Sequence, residues 1–241
     1  MKISAKELGV LDMEGFCPRC FWIKRHDRKL PYQTPFAGIF SSIDAFTKNV
    51  VERYFERTGK LPVWLESVGQ VERLIPVKIN EFVAEKDGVA LNGMPDLLFQ
   101  RPDKSYGLLD YKTARYTGTQ DALMPIYEVQ LNGYAYIAEA IGMKLLNDLY
   151  LVYFEPPKRE AFDKESALHI RNEGFEMPFR PVVHKLRKNT RHIEELLKKA
   201  EAVYSEEKVP AGIPNCEECA RLDTLLKLVY GDSIIPERKG I

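Results

Sequence analysis

The chain has 241 residues, 45% of them hydrophobic and 29% charged, which is too apolar for a disordered polymer and long enough for one sizeable core. Lys+Arg number 35 and Asp+Glu number 35, so zero net charge excludes a uniformly basic coat, though not a basic groove balanced by an acidic metal site. No run approaches the roughly 18–20 apolar residues of a membrane span, and Met1–Glu7 has no apolar signal core, so a soluble cytoplasmic protein is expected.

Ser4-Ala5-Lys6-Glu7 has the form of a capping box, which predicts a short helix from about residue 5 to Glu14-Gly15. Residues 19–29 carry Arg19, Lys24, Arg25, Arg28 and Lys29 against the single acid Asp27, interleaved with Phe21 and Trp22. Such a run is a solvated face or a phosphate-contacting edge. Ser41–Thr58 reads as an amphipathic helix with Ile43, Phe46, Val50, Tyr54 and Phe55 along its inner face and Gly59 as its stop. Strand candidates follow at Val71–Glu81, Gly88–Gln100 and Tyr106–Ala114. Glu85-Lys86-Asp87-Gly88 is a hairpin-type turn, and connections this short predict antiparallel neighbours.

Met124–Ala140 is helical in pattern, with Ile126, Val129, Gly133, Ile137 and Ala140 on one stripe and Gly142 as its stop. Leu146–Phe154 reads as a buried strand ended by Glu155-Pro156-Pro157. A last helix is expected over Val182–Glu206, with Leu186, Ile193, Leu197 and Ala200 facing in. Residues 181–200 hold six Lys/Arg against two Glu, a solvated face or a DNA-backbone contact. The order of elements predicts an α/β fold with a mixed central sheet flanked by helices.

All four cysteines fall in two Cys-x-x-Cys pairs, Cys17-Pro18-Arg19-Cys20 and Cys216-Glu217-Glu218-Cys219. Each pair can turn two thiolates toward one metal, and two pairs that use every cysteine predict a four-thiolate clip between the ends of the chain. Redox dithiols are the alternative. A four-thiolate site suits zinc and an iron–sulfur cluster alike, and the spacing does not choose. His26, His169, His184 and His192 form no metal spacing.

Asp96 closes Gly93-Met94-Pro95-Asp96, and Asp110-Tyr111-Lys112 lies in the next strand candidate. Asp110 and Lys112 are two apart on a strand and project from one face, expected to be its polar face. If the strands pair, Asp96 stands beside Asp110, and two such carboxylates make a hard-cation site. A lysine there can orient a nucleophilic water or neutralise charge on a phosphate oxygen. Gln130 and Tyr134, i and i+4 on the following helix, share a face. The bland alternatives are a turn acid, an exposed ion pair and ordinary helix-surface polar residues.

This set resembles the PD-(D/E)XK nuclease superfamily and, within it, the RecB-like branch that includes the CRISPR-adaptation exonucleases. The matching residues are Asp96 in Gly-Met-Pro-Asp, Asp110 and Lys112 in Leu-Leu-Asp-Tyr-Lys-Thr, and Gln130 and Tyr134 as Gln-x-x-x-Tyr. The resemblance implies a restriction-endonuclease-like core over about residues 35–160 of a single domain, 1–241, clipped by residues 17–20 and 216–219. It implies Mg²⁺ or Mn²⁺ held by Asp96, Asp110 and the Tyr111 carbonyl, with Lys112 assisting the attacking water. Gln130 would position Lys112 or the phosphate, and Tyr134 would line the DNA path. Relatives of this branch carry a [4Fe-4S] cluster on cysteines that flank the nuclease motifs. Two departures stand out. Where the family often has a histidine or glutamate ligand, Gly38-Ile39-Phe40-Ser41-Ser42-Ile43-Asp44 has no histidine, so either Asp44 supplies the ligand or the position is vacant. The cysteines divide two and two rather than one and three, which keeps Zn²⁺ as the alternative to the cluster.

The function expected is metal-dependent hydrolysis of DNA with free ends or single strands, as in DNA repair, with a helicase or CRISPR-type protein as a conceivable partner. The alternative is an inactive nuclease fold that binds DNA or docks a partner.

Overall fold

The structure is a computed structural model that describes residues 1–27, 37–117, 122–161 and 169–231. Strand β1 (Lys2–Ser4) leads into helix α1 (Ala5–Leu8) and a 3-10 turn over Gly9–Asp12. The capping box forms as expected: Ser4 Oγ accepts from Glu7 N at 3.2 Å, and Glu7 Oε2 accepts from Ser4 N at 2.9 Å. Helix α2 (Pro18–His26) follows the first cysteine, with Pro18 in its first turn, where a missing N–H costs nothing.

Helix α3 spans Gly38–Thr58 and closes on Gly59, whose φ of 67° lies in the left-handed region that glycine tolerates. The helix is where expected, but its inner face is so only in part. Phe46 is 71% exposed, and Val50 is exposed as well, while Val51 is fully buried. The covered face runs through Ile43, Asp44, Thr47, Lys48, Val51, Tyr54 and Phe55, so the helix turns two charged residues toward the sheet as well.

The first two strand candidates are redistributed. Of Val71–Glu81 only Arg73–Ile75 is a strand, β2, and a new strand β3 occupies Val83–Lys86. Gly88–Gln100 divides into β4 (Val89–Asn92) and β5 (Leu97–Gln100), which belong to different sheets. The hairpin turn is correctly placed: Asp87 at φ 49° and Gly88 at φ 76° link the Lys86–Val89 pair. Pro95, which has no N–H for a ladder, lies in the break between β4 and β5. The smaller sheet has the order β1-β4-β3, with β1 parallel to β4.

Strand β6 (Tyr106–Lys112) pairs antiparallel with β5, then helix α4 (Met124–Ala140) crosses over to β7 (Asp148–Glu155), which is parallel to β6. After a short exposed hairpin, β8 (Ile170–Arg171) and β9 (Gly174–Phe175), the expected last helix proves to be two elements. Residues Arg180–Arg187 form strand β10 across from β7, and only Thr190–Tyr204 is helix α5. Pro181, Val182 and Val183 favour extended chain, and β7 offers an unpaired edge for them. The larger sheet has the order β10-β7-β6-β5-β2. Helix α6 (Glu217–Tyr230), not anticipated, starts at the second cysteine pair.

This is the expected mixed sheet flanked by helices, with a core on each face. One side buries Leu98, Leu108, Leu151 and Tyr153 against α4 and α5. The other buries Leu97, Phe99, Leu109, Tyr111 and Val152 against Val51 of α3 and the 3-10 segment Val63–Val68. None of the described helices is long and apolar enough to cross a membrane.

Candidate active site and cysteine cluster

Leu97 stands opposite Leu109, so the register carries Asp96, one residue before β5, to the level of Asp110. Asp96 Oδ2 accepts a hydrogen bond from Tyr111 N at 2.6 Å, which fastens the Gly93–Asp96 turn to β6. Asp110 is not on a solvated polar face. It is 3% exposed, on the α4 side of the sheet with Leu108, and its Oδ2 has no hydrogen-bond partner. That oxygen is 2.5 Å from Lys112 Nζ as an ion pair without hydrogen-bond alignment. Burial first, and then the Asp96 charge, push the Asp110 carboxyl up to about 6 against the pull of Lys112. Burial likewise holds the Asp96 carboxyl above its ordinary range, despite Lys48 and the Tyr111 N–H.

Helix α4 lies over this face and supplies the polar partners. Lys112 Nζ donates to Gln130 Oε1 at 2.9 Å and lies 4.4 Å from the Tyr127 ring centroid. Gln130 Nε2 donates to Tyr134 Oη at 2.6 Å and reaches Asp110 Oδ1 at 3.5 Å. Tyr134 is buried beneath Gly93: a Cβ there would lie 2.3 Å from its ring. The tyrosine therefore props the Asp96 turn from below rather than presenting a face to a passing strand.

Asp44 does not reach the pair directly. Lys48, one turn later on α3, lies between them, with Nζ 2.8 Å from Asp44 Oδ2 and 2.7 Å from Asp96 Oδ1. Lys48 and Asp96 line a cleft of ≈ 710 Å³ between α3, β2 and the 93–98 turn, with Glu52, Ile75 and Met94 also on its walls. Sequence reasoning missed Lys48. Its signal was the spacing from Asp44, hidden by the apolar residues assigned to the wrong face.

Cys17 and Cys216 are the N-caps of α2 and α6, and Cys20 and Cys219 lie in the first turns. The four sulfurs are all within 4.8 Å of one another. Cys17 and Cys219 are 3.6 Å apart, Cys20 and Cys216 3.6 Å, and Cys20 and Cys219 3.4 Å. Burial raises the Cys17 thiol, but the N–H groups of Cys20 and Ile213 outweigh it and bring it to about 7. Burial and the neighbouring sulfurs drive Cys20 far upward and Cys219 to about 11. Four sulfurs this close cannot all ionise without a cation among them.

A sequence profile of the PD-(D/E)XK nuclease superfamily matches residues 18–223. The chain belongs to that superfamily. An alkaline exonuclease from Laribacter hongkongensis has a similar solved structure at 13% identity and a TM-score of 0.45, over 95% of this chain and 93% of that one. The same exonuclease in complex with dAMP matches at 11% identity and 0.42, over 95% of this chain and 93% of that one. A protein called SSO0001 matches at 14% and 0.45, over 84% and 76%. A search of curated protein sequences matched none of them.

In a PD-(D/E)XK nuclease a divalent ion is implied, and the donor set fits one. The half-buried Asp96 raises the pKa of the buried Asp110, and Asp110 carries an oxygen without a hydrogen bond. The four cysteines likewise suit a metal. Four thiolates gathered at one point are the ligand set of a tetrahedral zinc and of an iron–sulfur cluster alike.

The basic stretches are mostly engaged. Arg19 pairs with Asp223, Lys24 with Glu218, Arg25 with Glu7 and Lys188 with Glu139. Arg28 and Lys29 lie outside the described residues. Trp22 is an anchor, its Nε1 donating to Glu206 O at 3.0 Å and its ring stacked on His26.

Proposed function

We propose that the protein is a metal-dependent deoxyribonuclease of the RecB-like exonuclease type, with its site at Asp96, Asp110, Lys112, Gln130 and Tyr134. The observation that carries this reading is the convergence of the buried Asp110, the half-buried Asp96 and a lysine locked by Gln130. Asp96, Asp110 and the Tyr111 carbonyl would hold a Mg²⁺ or Mn²⁺ ion, which would supply Lewis-acid charge and acidify a water. The residues do the rest. Tyr111 N–H fixes Asp96, and the Tyr134 ring keeps the turn that carries it from collapsing. Gln130 can accept from Lys112 only through its oxygen, which leaves its amide to Tyr134, so the ammonium is held at one place. There it faces the carboxylate pair, where it orients the attacking water and offsets charge developing on the phosphoryl oxygen. DNA with free ends or single strands is the substrate, and a helicase or CRISPR-type protein is a candidate partner.

The cysteine cluster is read as a structural metal clip, a [4Fe-4S] cluster with Zn²⁺ as the alternative, supported by four sulfurs gathered within 4.8 Å of one another. Four irons with labile sulfide and absorption near 400 nm in anaerobically purified protein support the cluster. One zinc per chain by elemental analysis supports the alternative.

One observation favours the inactive alternative: Lys48 and Lys112 already pair with the two carboxylates. The test is release of label from end-labelled DNA in Mg²⁺ or Mn²⁺. Metal-stimulated release supports the nuclease. Salt-dependent binding without release supports the inactive fold.

A further inference from the structure

Lys48 has no part in the reaction just described, yet its ammonium is within the site. It enters from the cleft side, while Lys112 enters from the α4 side. Both of its ion-pair partners are carboxylates, Asp44 one helical turn back and Asp96 across the gap. Its side chain is 27% exposed and that of Asp96 10%, so the pair is shielded from water rather than a surface bridge. Three aspartates, 44, 96 and 110, meet two lysines, 48 and 112, leaving one negative charge. A divalent ion added to that set reverses its sign and places two cations on Asp96 at once.

We propose that Lys48 is a tethered cation that competes with the divalent ion for Asp96, and that Asp44 is the carboxylate to which its ammonium retires. This rests on the reading of Asp96 and Asp110 as metal ligands. Asp44 then serves Lys48 and not the metal. The arrangement keeps the carboxylate pair partly neutralised in the free protein and lowers its affinity for divalent ions. When the ion binds, a lysine leaves Asp96 and stays on the cleft wall, where an anionic backbone enters.

The experiment is a Mn²⁺ titration of the as-purified protein, followed by the electron paramagnetic resonance of free Mn²⁺. A hard cation takes the oxygen site and leaves the thiolates alone. Lys48→Met is expected to bind Mn²⁺ about tenfold more tightly than wild type, because a like charge a few ångströms from the ion is removed. Lys48→Arg keeps the charge and stays near wild type. Asp44→Asn alone weakens binding a few-fold, and has no effect in the Lys48→Met background, since its role passes through the lysine. Unchanged or weaker binding in Lys48→Met overturns the proposal, as does loss of Mn²⁺ in the Asp44→Asn, Lys48→Met double variant. Lys48→Gln replaces Lys48→Met if circular dichroism shows the latter unfolded. Asp110→Asn separates the two levels: wild-type affinity in that variant sinks the metal-site reading itself, and the proposal with it.

Discussion

Gln130 joins Lys112 to Tyr134, accepting from the ammonium at 2.9 Å and donating to the phenol oxygen at 2.6 Å. The glutamine is buried, and neither contact is made by a flexible surface group. Gln130→Ala is therefore expected to release Lys112, while the carboxylates lose only the long 3.5 Å contact to Asp110 Oδ1. A misplacement of about 1 Å in such a group costs on the order of 100-fold in rate. The check is cleavage rate beside Mn²⁺ affinity: the rate should fall about 10- to 100-fold while Mn²⁺ affinity stays within about twofold. Equal losses in both would assign Gln130 to the metal site instead.

Gly93 lies flat against the Tyr134 ring, with room for no Cβ. Gly93→Ala forces the ring or the turn to move and is expected to cost about 1–3 kcal/mol in a denaturant melt. In a Tyr134→Ala background the same substitution should cost almost nothing, because the colliding ring is gone. Additive costs would place the strain elsewhere.

The cysteine cluster ties α2 to α6 through residues that are 196 to 202 positions apart. Cys216→Ala, or stripping the clip's metal with a chelator, is expected to lower the melting temperature. Loss of an ion present at a thousand times its Kd removes about 4 kcal/mol. Identical melting curves with and without chelator would show that the clip carries no stabilising ion.

His184, on β10, packs its ring 3.8 Å from the Tyr116 centroid and 5.5 Å from that of Tyr153. Burial lowers its pKa from the ordinary 6.5, against the pull of Glu155. The unfolded chain then binds the proton more tightly than the folded one. The contribution is complete above 6.5 and is lost as pH falls from there toward the lower folded value. His184→Phe should flatten the decline in melting temperature between about pH 7 and 5. A decline as steep as that of wild type would place the acid sensitivity on other groups.

Much of the candidate site was legible because its signals are local. Asp110 and Lys112 two apart on a strand, Gln130 and Tyr134 four apart on a helix, and the paired cysteines each read at short range. Helix α4 matched its expected limits for the same reason. What failed depended on distant partners. Residues 182–188 have helix-compatible spacing, but the edge of β7 recruits them as a strand. The inner face of α3 was assigned by hydrophobicity, yet the sheet beneath it presents Asp96 and so selects Lys48. Phe46 and Val50 are left exposed as a consequence. Two Cys-x-x-Cys motifs do not encode which metal fills the clip.

The central claim is a hydrolytic metal site at Asp96 and Asp110 assisted by Lys112. Its most direct test is degradation of end-labelled single- and double-stranded DNA in Mn²⁺ by wild type, Asp110→Asn and Lys112→Ala, with folding checked by melting. Wild type should degrade DNA, and both variants should be folded and inactive, with Asp110→Asn also losing Mn²⁺ and Lys112→Ala retaining it. Undiminished degradation by a folded Lys112→Ala or Asp110→Asn protein would contradict the site.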